Sequence, residues 1–353
     1  MEFPINLYCK TTPESIKTLD LCRGEEDFRK VYIVTSNKSK FVIKHCSNCF
    51  TDHNKIISWY NLANKYNAIG IYCPKPILNL NGNMIYHYLE NNRDYYVYAE
   101  EFAKYKTAEQ FDKKNSTDFN GIPLYIPDLM RSIGKVGNAH FDFLNFSSHF
   151  CLFEQHSPPY NLDDETSQAA YKFTEYVKTN LPQYRIRLEK IINLFNIVKE
   201  KLRKVYSQLP VSCFQGDLNE TNILVDENYN FSGIIDFNVC GREPVLNYAV
   251  REALMHIENK ILFDNEGNEL YFYDKNLEKI RVDSFMKNIK YIQEYYEFNE
   301  LEKNTFPLLL KYISSFWWEQ VYAIKQMKGD TEKVNMIFDW IELQLTRNDI
   351  ILH

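Results

Sequence analysis

Asp217, Asn222 and Asp236 are the residues of this 353-residue chain whose types and spacing best suit chemistry. They lie in Cys213-Phe214-Gln215-Gly216-Asp217-Leu218-Asn219-Glu220-Thr221-Asn222-Ile223-Leu224-Val225-Asp226 and in Gly233-Ile234-Ile235-Asp236-Phe237-Asn238. Phosphoryl transfer needs a group that orients the attacking hydroxyl and accepts its proton. It also needs a divalent ion to offset phosphate charge, and hard oxygen ligands to hold that ion. Two carboxylates and a carboxamide meet those needs if they converge. Ile223-Leu224-Val225 reads as an apolar strand, Asn228-Tyr229-Asn230 as a turn, and Gly233-Ile234-Ile235 as a second strand ending at Asp236. Pairing the two strands would bring all three side chains to one end of a hairpin.

The rest of the chain divides into the elements that must position this hairpin. Lys30–Thr35 and Lys40–Lys44 are β-branched and aromatic runs separated by the polar turn Ser36-Asn37-Lys38-Ser39, and they predict a hairpin. Asn54–Tyr66 carries Ile56, Ile57, Tyr60 and Ala63 at helical spacing, and Cys73-Pro74-Lys75-Pro76 then breaks the chain. Strands are expected over Asn83–Tyr88 and Tyr95–Ala99. After Phe102 the pattern turns helical, over Ile126–Phe143, Asp164–Thr179, Tyr184–Leu209 and from Val282 onward. Lys260–Ile280, with Asn265-Glu266-Gly267-Asn268 at its centre, reads as an inserted hairpin. The predicted class is α+β: a small β-rich lobe over residues 1–102 and a large, mainly helical lobe over residues 103–353, joined near Glu100-Glu101-Phe102-Ala103.

The order D-x-x-x-x-N followed by a strand-ending Asp-Phe is that of the protein-kinase catalytic loop and D-F-G motif. The local form here is Gly-Asp-Leu, an Asn five residues after the Asp, Ile-Ile-Asp-Phe, and then Gly241-Arg242-Glu243-Pro244. It resembles the aminoglycoside phosphotransferase and choline kinase family. That resemblance implies a two-lobed protein-kinase-like fold and transfer of phosphate from ATP to a hydroxyl of a small molecule such as an aminoglycoside or choline. It implies Asp217 as catalytic base and Asn222 and Asp236 as ligands of Mg²⁺. Lys44, ending Phe41-Val42-Ile43-Lys44, and Phe102 at the joint are expected to contact the nucleotide. Ile133–His140 resembles the family's helix ending in His, and His140 is read as a structural residue of the lobe core. The acceptor is expected to meet residues of the later helices, with Glu252, Trp317, Trp318, Tyr322, Asp339, Trp340 and Glu342 as candidates. Aromatic faces would suit a quaternary ammonium and carboxylates a polyamine.

The sequence departs from the family pattern at several points. Gln215 stands where the family usually has His, and Asn219 where His is frequent. The loop Arg23-Gly24-Glu25-Glu26-Asp27-Phe28 has three acids and one glycine. The helix over Asn54–Tyr66 contains no Glu to pair with Lys44; Asp52 is the nearest acid and sits where an N-cap belongs. The acidic loop and the missing Glu motivate an alternative class, a kinase-like binding protein without turnover. No A-P-E-like segment follows Asp236, which disfavours a protein kinase, and neither G-x-x-x-x-G-K-[ST] nor G-x-G-x-x-G occurs.

Composition bounds the remaining classes. A formal net charge of -6 without a Lys/Arg cluster argues against a nucleic-acid partner and is compatible with a cationic substrate. No stretch has the length and apolarity of a membrane span. The start Met1-Glu2-Phe3-Pro4-Ile5 lacks the basic and apolar regions of a signal peptide, so a cytoplasmic location is expected. The 8 cysteines are scattered and read as reduced thiols. Cys46 and Cys49 form an isolated C-x-x-C without the second pair a structural zinc site needs.

Overall fold

The computed structural model describes residues 3–111, 116–118, 122–154, 164–257 and 275–352. The chain forms two compact units. The first comprises Met1–Phe111, Asp217–Asn228 and Ser232–Cys240, so the candidate hairpin packs with the N-terminal strands. The second comprises Asp112–Gly216, Tyr229–Phe231 and Gly241–His353.

The first unit opens with a short helix, α1 (Phe3–Asn6), followed by β1 (Ser15–Asp20), β2 (Phe28–Ser36) and β3 (Ser39–Ser47). Helix α2 (His53–Ala68) follows, then β4 (Pro76–Ile77), β5 (Ile85–Glu90), β6 (Arg93–Glu101) and β7 (Lys106–Thr107). The strand order is β1-β2-β3-β6, with β4 and β5 both on β6. The β2–β3 turn uses Asn37 and Lys38 at positive φ, as a two-residue hairpin requires. Alternation along the strands separates two faces. Tyr32, Val34, Phe41, Ile43, Val97 and Ala99 pack with Ile5 and Cys9 on one. Lys44, Tyr98 and Glu100 share the other, where Trp59 and Tyr60 of α2 meet the Tyr98 ring at centroid distances of 6.2 and 6.1 Å. Asp52 caps α2, its carboxylate accepting the N–H of Lys55 at 2.9 Å.

The second unit begins with α3 (Ile126–Ala139), α4 (Glu165–Asn180), α5 (Arg185–Tyr206) and β8 (Val211–Phe214). The chain then returns to the first unit with β9 (Ile223–Val225) and most of β10 (Phe231–Ile234), β9 lying between β10 and β7 in a three-stranded sheet. β11 (Gly241–Pro244) pairs antiparallel with β8. Helices α6 (Val245–Met255), α7 (Lys275–Gln293), α8 (Glu300–Ser315), α9 (Trp318–Gln326) and α10 (Thr331–Thr346) complete the unit. Much of the aromatic content is core: Phe173, Phe306, Phe316, Phe338 and Tyr312 are fully buried, and Phe195 stacks on Tyr312 at 5.1 Å. Helix α8 starts on a capping box between Asn299 and Glu302.

Two expectations need correction. The helix expected over Ile126–Phe143 stops at Ala139, because His140 adopts a left-handed conformation (φ 45°) and its N–H bonds the Gly137 carbonyl. His140 is therefore an exposed helix terminus whose ring meets Tyr296 at 6.1 Å, not a residue of the core. The hairpin expected over 260–280 lies outside the described residues as far as 274, and from Lys275 onward the chain is helical.

Candidate active site

Two close backbone contacts hold the site-bearing hairpin. The Ile234 N–H donates to the Tyr72 carbonyl at 2.9 Å, and a Cβ on Gly233 would stand 2.3 Å from that same oxygen. Glycine at 233 is thus a requirement of close strand approach. The Ile235 N–H donates to the Asn222 carbonyl at 2.9 Å, so Asp236 follows directly on a backbone bond to Asn222. That bond joins two sequence-distant oxygen donors.

The loop from Asp217 to Asn222 is closed by its own side chains. Asn222 Nδ2 donates to the Asp217 carbonyl at 2.9 Å and to Asp217 Oδ2 at 3.1 Å. Asn219 Nδ2 donates to Asp217 Oδ1 at 2.8 Å, while its own Oδ1 accepts the Thr221 N–H at 2.9 Å. Both oxygens of the Asp217 carboxylate are therefore oriented by carboxamides. Asn219, at a position where the resemblance leads one to expect His, supplies one of the two donors. Gln215 is fully buried. Because Asn222 turns its nitrogen to Asp217, its Oδ1, which accepts from Thr221 Oγ1 at 3.4 Å and has a second lone pair, is the atom suited to act as a hard ligand.

Asp236 sits at φ 60°, in the left-handed region that Asp tolerates better than most residues. Its Oδ1 lies 3.9 Å from Lys44 Nζ, and its Oδ2 accepts from Asn238 Nδ2 at 3.4 Å. Lys44 Nζ is held more closely by Glu100 Oε1, at 3.0 Å. Burial alone would pull the Lys44 ammonium down, but the Glu100 carboxylate and then Asp236 outweigh it, so Lys44 lies above the usual lysine range and is firmly charged. Lys44, Glu100 and Asp236 line a pocket together with Trp59, Tyr60, Ala63 and Tyr98.

One carboxylate and one carboxamide fit a magnesium ion better than a zinc or calcium cage. Mg²⁺ is commonly held by one or two protein oxygens, its other positions going to phosphate and water. Among the described residues no group of three His, Cys, Asp or Glu is placed to hold a metal. Cys46 is buried and Cys49 exposed, and all eight cysteines are free thiols.

The structure brings Asp217, Asn222, Asp236 and Lys44 together within the first unit. Phe102 does not line the Lys44 cavity; Lys40 Nζ lies over its ring at 3.6 Å. Glu100 appears in the sequence only as part of the joint, and its closeness to Lys44 depends on strand register. In the acidic loop, Asp27 is neutralised by Arg29 at 2.6 Å. The acceptor candidates of the second unit do not form one cage. Asp339 and Glu342 are ion-paired to Arg187 at 2.5 and 3.1 Å, Glu252 is buried 3.4 Å from His256, and Trp340 is buried against Arg281. Trp317 bonds the Ile313 carbonyl and Tyr322 is exposed.

With this geometry established, comparison with known proteins assigns the class. The model of the phosphotransferase enzyme family matches residues 18–247, a span that holds Lys44, Asp217, Asn222 and Asp236. The chain belongs to this family, and is a phosphotransferase. Among solved structures it is similar to amicoumacin kinase in complex with AMP-PNP, Ca²⁺ and Ami, with 14% identity and a TM-score of 0.52 over 97% of this chain and 91% of that one. It is similar to a microcompartment-associated aminopropanol kinase with 12% identity and a TM-score of 0.52, over 97% of this chain and 93% of that one. These similarities establish a kinase-like fold. No curated protein matches the chain in sequence.

Proposed function

We propose that the chain transfers phosphate from ATP to a hydroxyl of a small molecule, with residues 1–102 as the nucleotide lobe and 103–353 as the catalytic and substrate-binding lobe. The observation that carries this reading is the joining of the Asp217–Asn222 loop to Asp236 and Lys44 through the Ile235–Asn222 backbone bond. Asp217, oriented at both carboxylate oxygens, accepts the proton of the attacking hydroxyl. Asn222 Oδ1 and Asp236 would hold Mg²⁺, which when bound offsets charge on the transferring phosphoryl group. Lys44 offers a fixed positive charge to the nucleotide phosphates. Phe102, following the last strand of the N-terminal sheet, is proposed to contact the nucleotide as well. The negative net charge is compatible with a cationic acceptor, and the free thiols suit work in the reducing cytoplasm.

Purified Asp217→Asn protein tests the chemistry. Turnover of ATP with an acceptor drawn from aminoglycosides, choline, homoserine and sugars should vanish, while Mg-ATP should raise the melting temperature of the variant and of the wild type alike. Turnover at the wild-type rate would refute the role of Asp217. A wild-type protein that millimolar Mg-ATP does not stabilise would instead favour a kinase-like binding protein without turnover.

A further inference from the structure

Helix α2 runs from His53 to Ala68 without a single acidic residue, yet Lys44 is not left to Asp236 alone. Its nearer partner comes from the neighbouring strand. In the β3–β6 register Lys44 stands opposite Tyr98 and Val42 opposite Glu100. Residues two apart share a face, so Lys44 and Glu100 are diagonal neighbours, within reach of two long side chains. The pair closes to 3.0 Å with side chains 20% and 16% exposed, whereas Asp236 is 38% exposed and 3.9 Å away. On the α2 side, Trp59, Tyr60 and Ala63 wall the cavity with carbon, and Tyr60 Oη donates to the Ala99 carbonyl at 3.2 Å. Nothing on that wall competes for the ammonium.

We propose that Glu100 is the positioning residue of the phosphotransfer site: it holds the Lys44 ammonium away from Asp236, so that Lys44 faces the nucleotide phosphates and Asp236 keeps its carboxylate for the metal. This rests on the nucleotide-binding reading above. Asp236 is the only other carboxylate that the structure places within 4 Å of Lys44 among the described residues. Without Glu100 the ammonium would therefore turn to Asp236 and occupy a metal ligand. Helix α2, having no part in the ion pair, does not gate it.

The test is a double-mutant cycle on the full chain, read by calorimetry of Mg-AMP-PNP binding and by the Mg²⁺ concentration giving half-maximal rate. Glu100→Gln should weaken nucleotide binding about tenfold, the scale of a hydrogen bond to a charged group, and should raise the Mg²⁺ requirement. Glu100→Asp should recover part of both. In a Lys44→Met background, Glu100→Gln should have no further effect, since it acts through Lys44. A melting temperature for Glu100→Gln within a few degrees of wild type shows that the losses are not unfolding, and Glu100→Asp serves if the Gln variant does not fold. Wild-type affinity and Mg²⁺ requirement in Glu100→Gln, or an equal loss in the Lys44→Met background, would overturn the inference while leaving the proposed function standing. Wild-type binding by Lys44→Met itself would overturn both.

Discussion

His45 provides a quantitative test of how the N-terminal sheet is packed. Its ring is 8% exposed, its Nε2 bonds Tyr88 Oη at 2.9 Å, and its Nδ1 has no partner. Burial, helped by the nearby Lys30 ammonium, lowers its pKa from 6.5 to about 4. The unfolded chain therefore takes up this proton near pH 6.5 and the folded chain only near pH 4. Stability from this group is complete above pH 6.5 and falls as the pH drops toward 4. Between pH 7.5 and 4.5 the loss is on the order of 2–3 kcal/mol, from about 1.4 kcal/mol per pH unit. Glu243 works in the opposite sense. Fully buried, with Ser148 and Asn247 bonded to its carboxylate, it is raised by burial from 4.5 to about 7. Its contribution is complete below pH 4.5 and is lost as the pH rises through 7, so acidification over the same range returns a similar amount. The changes from these two groups therefore nearly cancel between pH 7.5 and 4.5. His45→Gln should become more stable on acidification relative to its own value at pH 7.5, and Glu243→Gln less stable. Urea unfolding of the three proteins at both pH values measures this, each variant serving as its own reference. If His45→Gln and wild type show the same change with pH, the histidine is not buried in neutral form and the assigned packing is wrong.

Three further outcomes follow from the geometry. Gly233→Ala should destabilise by about 1–3 kcal/mol, because its Cβ would collide with the Tyr72 carbonyl; an unchanged melting temperature would contradict the close approach. Asp236→Ala should lose roughly 1 kcal/mol from placing a residue less tolerant of the left-handed region at φ 60°, whereas Asp236→Asn should keep its stability; both should lose activity, and denaturant midpoints separate the two effects. Asp52→Ala should cost about 1 kcal/mol as a lost helix cap and leave nucleotide affinity unaltered, which calorimetry can check.

The sequence alone determined the order and type of most elements and put forward the candidate residues of the chemistry. The hydrophobic periods marked β2, β3, β5, β6 and the helices α2, α4 and α5 to within a few residues, because period two and period 3.6 are local properties of the chain. Asp217, Asn222 and Asp236 were legible for the same reason: their loop and hairpin span only about twenty residues, so spacing alone nearly fixes their meeting. The end of α3 was not legible, since the left-handed turn at His140 carries no glycine or proline to announce it. Tertiary structure alone decided the partner of Lys44. Glu100 lies 56 positions further along the chain, and what brings it within 3.0 Å is the β3–β6 register. Register depends on which faces of two distant strands are buried together, and a one-residue slip would have sent Glu100 to the opposite face of the sheet.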